Sequence, residues 1–406
     1  MSGKPQALSG LKVVEFGGYA AGPHVGKLLG NFGAVAVHVE SFKRPDGFRL
    51  QYPPYKDGEV GINRSGCFSL FNDSKYGCTV DVKNPAGLEI ARRLMDWADV
   101  AVENMRPGVM DRVGLGYEEA SKTNPRLVML STCNMGQTGP RAHTPGFGTQ
   151  LSSLAGFCGA IGEPDGSPML LYGPYIDFVA SMMGTSAVLA ALGLSRATGK
   201  GVYIDLSQYE TGLHFMAGAL FAYHRDGVVA ERRGNRDDKA APHGAYSCRG
   251  ERWLALSCWS DAEFSALAET LGEPALAADA RFAGAEDRLA NAEALDAALA
   301  ALLRGREAEA TAEALQAAGI AAYPVNGMAD LFSDPQLVAR QVWRPREHAE
   351  IGMQNYEMPG FELSATPGDV TRAAPVLGGD NETVFKAFLG LSDAEYDAYA
   401  ARGAFD

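Results

Sequence analysis

Asp177 is a first candidate for chemistry. It follows Gly173-Pro174-Tyr175 and opens a long apolar stretch. A helix starting there would set its dipole to favour the ionised carboxylate. An ionised carboxylate is a competent nucleophile for acyl transfer. The same spacing also suits an N-cap that only satisfies backbone donors. A second candidate is the glycine turn of Gly17, Gly18 and Gly22. It sits between an apolar strand and a helix, where backbone N–H groups could cradle a phosphate. It lacks the G-x-G-x-x-G spacing, and a bare glycine turn between strand and helix more often serves tight packing.

The positive groups come next. Lys75 ends the run Asn72-Asp73-Ser74-Lys75, and Arg106 and Arg112 flank Pro107-Gly108. Each follows an expected strand, where α/β folds bind ligands, and each could meet a phosphate or sit solvated on the surface. The seven histidines, His24, His38, His143, His214, His224, His243 and His348, show no metal-binding spacing. His38, inside an apolar strand, reads as a core or edge residue. Cys67, Cys78, Cys133, Cys158, Cys248 and Cys258 form no C-x-x-C pair, which argues against structural zinc. They read as reduced thiols of a cytoplasmic protein. No G-x-S-x-G elbow or phosphate-binding Walker loop is present.

These residues must be held by a sizeable scaffold. The 406 residues suggest about two domains. A hydrophobic share of 46% with 21% charged residues is that of a soluble globular enzyme. The net charge of -13 argues against nucleic acid as the main partner. Met1 to Gly10 lacks an apolar core of signal-peptide type. Phe178 to Leu194 is uncharged but rich in small residues and short for a membrane span, so a buried helix is expected.

Leu11 to Phe16 reads as a strand, His24 to Phe32 as a helix and Ala34 to Glu40 as a strand. Cys78 to Val82, Val100 to Glu103, Leu127 to Ser131 and Gly201 to Leu206 read as further strands, with helices at Pro85 to Trp97 and Tyr117 to Thr123. The alternation predicts a doubly wound α/β domain with a parallel sheet. A charged, Gly-containing boundary, Arg225 to Lys239, leads into a smaller unit. That unit is expected to hold strands Gly244–Ser247, Trp253–Ser257 and Ala321–Val325, and helices at 262–271, 291–303 and 307–318. The Pro- and Gly-rich tail from Arg344 ends in helices at 382–389 and 393–401.

Several blocks, in order, resemble the family III CoA-transferases. They are Leu8 to Phe16 with Ala21-Gly22-Pro23; Gly33-Ala34 with Val37 to Glu40; Asn72 to Lys75 with Asp81 to Gly87; and Glu103 to Gly108 with Gly114 to Tyr117. Asn124 to Val128, Gly136 to Pro140 and Ala374 to Gly378 complete the series. The resemblance spans nearly the whole chain. It implies that Asp177 is the covalent nucleophile. It implies coenzyme A contacts at Ala20, Ser41, Asn72, Asp73, Ser74, Lys75, Asn104, Met105, Arg106, Arg112, Cys133, Asn134, Met135, Gly136 and Gln137. Two departures bear on acid specificity: Ala20 stands where formyl-CoA transferase has glutamine, and a lysine near the fourth block is replaced around Cys133. No glycine-rich flap follows His243.

The implied activity moves CoA from an acyl-CoA donor, succinyl-CoA being one common in the family, to a carboxylic acid. No metal and no cofactor beyond the CoA substrate is implied. The implied fold is a Rossmann-like large domain (1–225), a smaller α/β domain (226–335) and a segment (336–406) returning to the first. The chain would be ring-like in an interlocked homodimer, or pair with a paralogous subunit. An α-methylacyl-CoA racemase looks similar over the same length, but its His-Asp proton-transfer pair falls on Phe147 and Gly148. A CoA-binding subunit without catalysis would tolerate loss of Asp177. A nicotinamide enzyme would need the missing G-x-G-x-x-G. Tyr19, Phe147, Tyr172, Tyr175 and Met182 suggest a bulky or apolar acceptor, or core packing.

Overall fold

The computed structural model describes residues 6–406. The reading of Met1 to Gly10 as lacking a signal-type core falls partly on residues 1–5, outside the described residues. Six strands form a parallel sheet: β1 (Lys12–Phe16), β2 (Val35–Glu40), β3 (Lys75–Thr79), β4 (Val100–Glu103), β5 (Val128–Cys133) and β6 (Val202–Ser207). Their order is β3-β2-β1-β4-β5-β6. Val14 lies opposite Val37 on one side and Ala101 on the other. Such strands are buried on both faces, which is why they read as continuous β-branched runs.

Alternate residues feed two cores. Val14, Phe16, Val37, Val39 and Ala101 pack with Ile90, Leu94 and Met95. Val13, Ala36, Val100, Val102 and Leu130 pack with Val25, Leu29, Ala180 and Val188. The helices concerned are α1 (Ala21–Gly30), α2 (Pro85–Trp97) and α4 (Tyr175–Thr198), with α3 (Gly148–Leu154) preceding α4 in the chain. α2 is started by Asn84, whose side chain accepts from Ala86 N, and by Pro85 in its first turn. α4 is long and apolar enough to cross a membrane by composition, but 44% of that stretch is buried within the protein.

The chain divides into two compact units, one of residues 1–158, 170–229 and 338–406, the other of residues 159–169 and 230–337. The expected boundaries placed 159–169 in the first unit. It belongs to the second, where Gly234 N donates to Gly162 O at 2.8 Å. In the second unit, β7 (His243–Ser247), β8 (Trp253–Ser257) and β9 (Ala321–Pro324) form an antiparallel sheet. Leu254 and Leu256 pack there against Leu267, Leu295, Leu299 and Leu315.

Three expectations need correction. The strand expected at 78–82 is β3, three residues earlier, because Asp81 starts the turn that leads to α2: Asn84 N donates to Asp81 O. The helix expected from His24 begins at Ala21. The tail holds an unforeseen hairpin, β10 (Trp343–His348) with β11 (Gly352–Glu357). Its turn is closed by His348 Nδ1, which accepts from Glu350 N and Ile351 N, both at 3.1 Å.

Candidate active site

The sheet order reverses between β1 and β4, and the crevice beyond the carboxyl ends of such strands is where ligands bind. β1 runs into Gly17, Gly18, Tyr19 and Ala20, and β4 runs into Asn104 to Pro107. Asn104 joins the two ends. Gly18 N donates to its Oδ1 at 3.1 Å, and its Nδ2 donates to Gly18 O at 2.7 Å. A Cβ on Gly17 (φ +131°) would lie 1.9 Å from Asn104 Oδ1. Tyr19 N donates to Asp46 Oδ1 at 2.9 Å. The N–H groups of Gly18 and Tyr19 are thus consumed inside the protein. Those two donors are therefore not available to a phosphate, and the turn packs closely against Asn104.

Asp177 occupies the first turn of α4, the third residue in, and its own N–H bonds to Pro174 O. Its carboxyl faces a cavity of about 300 Å³. Among the described residues no hydrogen bond or ion pair reaches that carboxyl. The helix dipole favours the charged form, yet burial wins and pushes the pKa from 3.8 to about 7. The side chain is half-buried, open to the cavity and enclosed elsewhere. The carboxyl lies against Gly148, where a Cβ would come within 2.6 Å of Oδ2.

Ala20, Asn104, Met105, Arg106, Cys133 and Asn134 line this cavity with Asp177. Arg106 is exposed, and no ion pair engages it among the described residues. Asn134 Nδ2 holds the facing loop through Gly146 O at 2.9 Å. Burial drives the Cys133 thiol up to about 12, so it is a wall and not a nucleophile. Tyr19 and Phe147 pack edge to face at 5.6 Å and also line the cavity.

Other expected contacts lie elsewhere. Lys75 is neither solvated nor at the cavity: it is fully buried, donating to Glu15 Oε1 at 2.6 Å, Pro23 O at 2.6 Å and Asn72 Oδ1 at 2.9 Å. Glu15 also bonds His38 Nδ1 at 2.6 Å, which makes His38 a core residue. Asn72, Asp73 and Ser74 are buried too. Asp73 pairs with Lys27 at 3.0 Å, and Ser74 Oγ accepts from Thr371 N at 3.0 Å. These four residues, with no free face toward the cavity lining, hold the sheet edge together. Ser41 accepts from Arg44 N, Arg112 is exposed, and Met135, Gly136 and Gln137 sit in the loop after β5. Gln137 ties that loop to β4, accepting from Gly108 N at 3.3 Å and donating to Glu103 Oε1 at 3.5 Å. None of these five is in the cavity lining.

Sequence reasoning missed two positions. Glu103 ends β4 and accepts from Met105 N at 2.7 Å, orienting the segment that carries Arg106; burial raises its carboxyl to about 7. Its place at the carboxyl end of a strand was the available signal. His24 bonds Ser181 Oγ at 2.6 Å, linking α1 to α4. Burial, with Lys27 and Lys75 nearby, lowers it to about 3 and keeps it neutral. Nothing in its local sequence marked that role.

A family model described as CoA-transferase family III matches residues 8–381. A succinyl-CoA–D-citramalate CoA-transferase of Chloroflexus aurantiacus is 32% identical over 393 residues, 96% of this chain and 96% of its own length. An acetyl-CoA:oxalate CoA-transferase of Acetobacter aceti is 34% identical over 341 residues, 84% of this chain and 86% of its own. Among solved structures, a CaiB/BaiF family protein from Brucella suis superposes with a TM-score of 0.88 at 30% identity, covering 95% of this chain and 100% of that one.

Proposed function

The chain belongs to CoA-transferase family III, and on that premise we propose that Asp177 is the nucleophile that carries CoA between two carboxylic acids. The observation that carries this reading is an unpaired carboxyl at the start of α4, facing the cavity at the sheet's switch point. The Asp177 carboxylate attacks the thioester carbonyl of the donor, forming a mixed anhydride and expelling CoA thiolate. The thiolate attacks the aspartyl carbonyl, giving an aspartyl–CoA thioester and releasing the donor acid. The acceptor carboxylate attacks that thioester, forming a second anhydride and freeing the thiolate. Thiolate attack on the acceptor acyl carbon then yields the new acyl-CoA and restores Asp177. Every step balances with the carboxylates and the thiolate alone, so the cycle calls for no metal or redox cofactor. Closure around the bound acyl group would protect the anhydride from water.

Arg106, unpaired at the cavity, would meet a phosphate of CoA or a second carboxylate on the acyl group. Succinyl-CoA as donor fits that charge, in line with the relative that acts on succinyl-CoA and D-citramalate. The racemase alternative is disfavoured because the positions of its His-Asp pair hold Phe147 and Gly148, neither of which moves a proton; His143 also lines the cavity but is out of register with that pair. Met182, Met183, Leu189 and Leu194 leave an apolar face of α4 exposed, which supports a second chain, identical or paralogous, covering it. All six cysteines are free, which fits work in the cytoplasm.

The test is intact-protein mass spectrometry after incubation with a panel of acyl-CoA thioesters and hydroxylamine trapping, for wild type and Asp177→Ala. A modification mapped to Asp177 and lost in the variant is expected. No adduct with any thioester, together with solvent-proton exchange at the α-carbon, would replace the transferase cycle with racemase chemistry.

A further inference from the structure

Gly148 is the first residue of α3 and is buried. Its φ lies outside the left-handed region, so the backbone there would accept any L-residue, and alanine would be a better helix former. The need for glycine lies in the space beside it. A Cβ at this position would stand 2.6 Å from Asp177 Oδ2, 2.9 Å from Cγ and 3.2 Å from Oδ1. All three carboxyl atoms thus crowd one point above the Gly148 Cα. Neither helix can easily yield. α3 is anchored by buried Leu151 and Ser152, with Ser152 Oγ donating to Gly148 O at 3.0 Å. α4 is anchored by Ile176 and Ala180, both fully buried.

We infer that Gly148 is a positioning residue for acyl transfer, its bare Cα forming the floor on which the Asp177 carboxyl rests and is aimed into the cavity. The inference rests on the reading of Asp177 as nucleophile. Among the described residues no hydrogen bond orients this carboxyl, so its packing against glycine supplies the orientation that a polar partner would otherwise give. A polar partner would also draw electron density from the attacking oxygens, whereas a C–H floor leaves them free. A methyl at 148 must displace the carboxyl by at least roughly 0.8 Å to reach ordinary contact. Misplacement of that order costs a reaction roughly 10- to 100-fold in rate.

The experiment compares Gly148→Ala with wild type, and Gly305→Ala, whose Cβ would meet nothing within 4 Å, as control. Gly148→Ala should lower kcat roughly 10- to 100-fold while KM for the acyl-CoA stays within about twofold, because Asn104 and Arg106 are untouched. Gly305→Ala should match wild type. An unchanged kcat in Gly148→Ala, or a loss confined to KM, would overturn the inference. Denaturant unfolding of Gly148→Ala, Asp177→Ala and the double variant gives a readout independent of turnover. The stability lost on adding the methyl should vanish once the carboxyl is gone. An equal loss in both backgrounds would overturn the packing argument. If wild type forms no Asp177 adduct, the nucleophile reading falls alone, and the unfolding cycle still decides whether Gly148 seats the carboxyl.

Discussion

Replacing Asp177 with asparagine isolates the energetic consequence of burying its carboxyl. The folded protein raises this group from 3.8 to about 7. Three units correspond to about 4 kcal/mol at about 1.36 kcal/mol per unit. Water in the open cavity screens part of this, so about 2–4 kcal/mol is the working range. Because the folded pKa is raised, the folded state binds the proton more tightly than the unfolded chain. The stabilisation is complete below about pH 4 and is lost as pH rises through about 7. Asparagine keeps the shape and never ionises. Asp177→Asn should therefore be more stable than wild type by about 2–4 kcal/mol above about pH 8, and the two should converge near pH 4. Urea unfolding of both proteins across this range reads the difference directly, since all other titrating groups cancel. A difference that does not change with pH would refute the reasoning. In the wild type the acylation rate should climb with pH, reach half its maximum near pH 7 and level off above about pH 8, where the carboxylate is the dominant form. A rate already flat from about pH 5 would show that the carboxyl is not desolvated in the working site.

Arg106→Ala should raise KM for the acyl-CoA at least about 10-fold with little change in kcat, as loss of a charged contact implies; steady-state kinetics checks it. Lys75→Met strands Glu15 as an uncompensated buried charge and should destabilise the fold by about 3–5 kcal/mol, read by urea unfolding. A KM rise without loss of stability would instead return Lys75 to the CoA site. Cys133, with its thiol pushed up to about 12, should resist iodoacetamide at neutral pH in the folded protein and react once unfolded, as followed by peptide mass spectrometry.

The central strands were legible because a parallel sheet buries both faces, leaving runs such as Val13-Val14 and Val37 to Val39 with β-branched density. β3 was displaced because it opens on a charge: Lys75 is tolerated in a strand only because Glu15, distant in sequence, neutralises it at 2.6 Å. The tail hairpin was hidden by Pro345, which argues against a strand interior; here it stands in the isolated two-stranded β10–β11 pair. The motif residues Asn72 to Lys75 were legible as a block, but their role was not. Their polarity suggests a ligand, and only the fold shows them bonded to one another and to Asn31, Lys27 and Glu15.

By itself the sequence determined the α/β alternation, the long apolar helix expected over Phe178 to Leu194, and a carboxylate at its start. These follow from local periodicity and from the chemistry of a helix start, which neighbours in sequence decide. Tertiary structure alone decided that the same carboxylate has no partner among the described residues, lies on Gly148 and sits near neutrality in its proton affinity. Local position favours ionisation through the dipole, while desolvation opposes it, and desolvation depends on which distant segments close around the group.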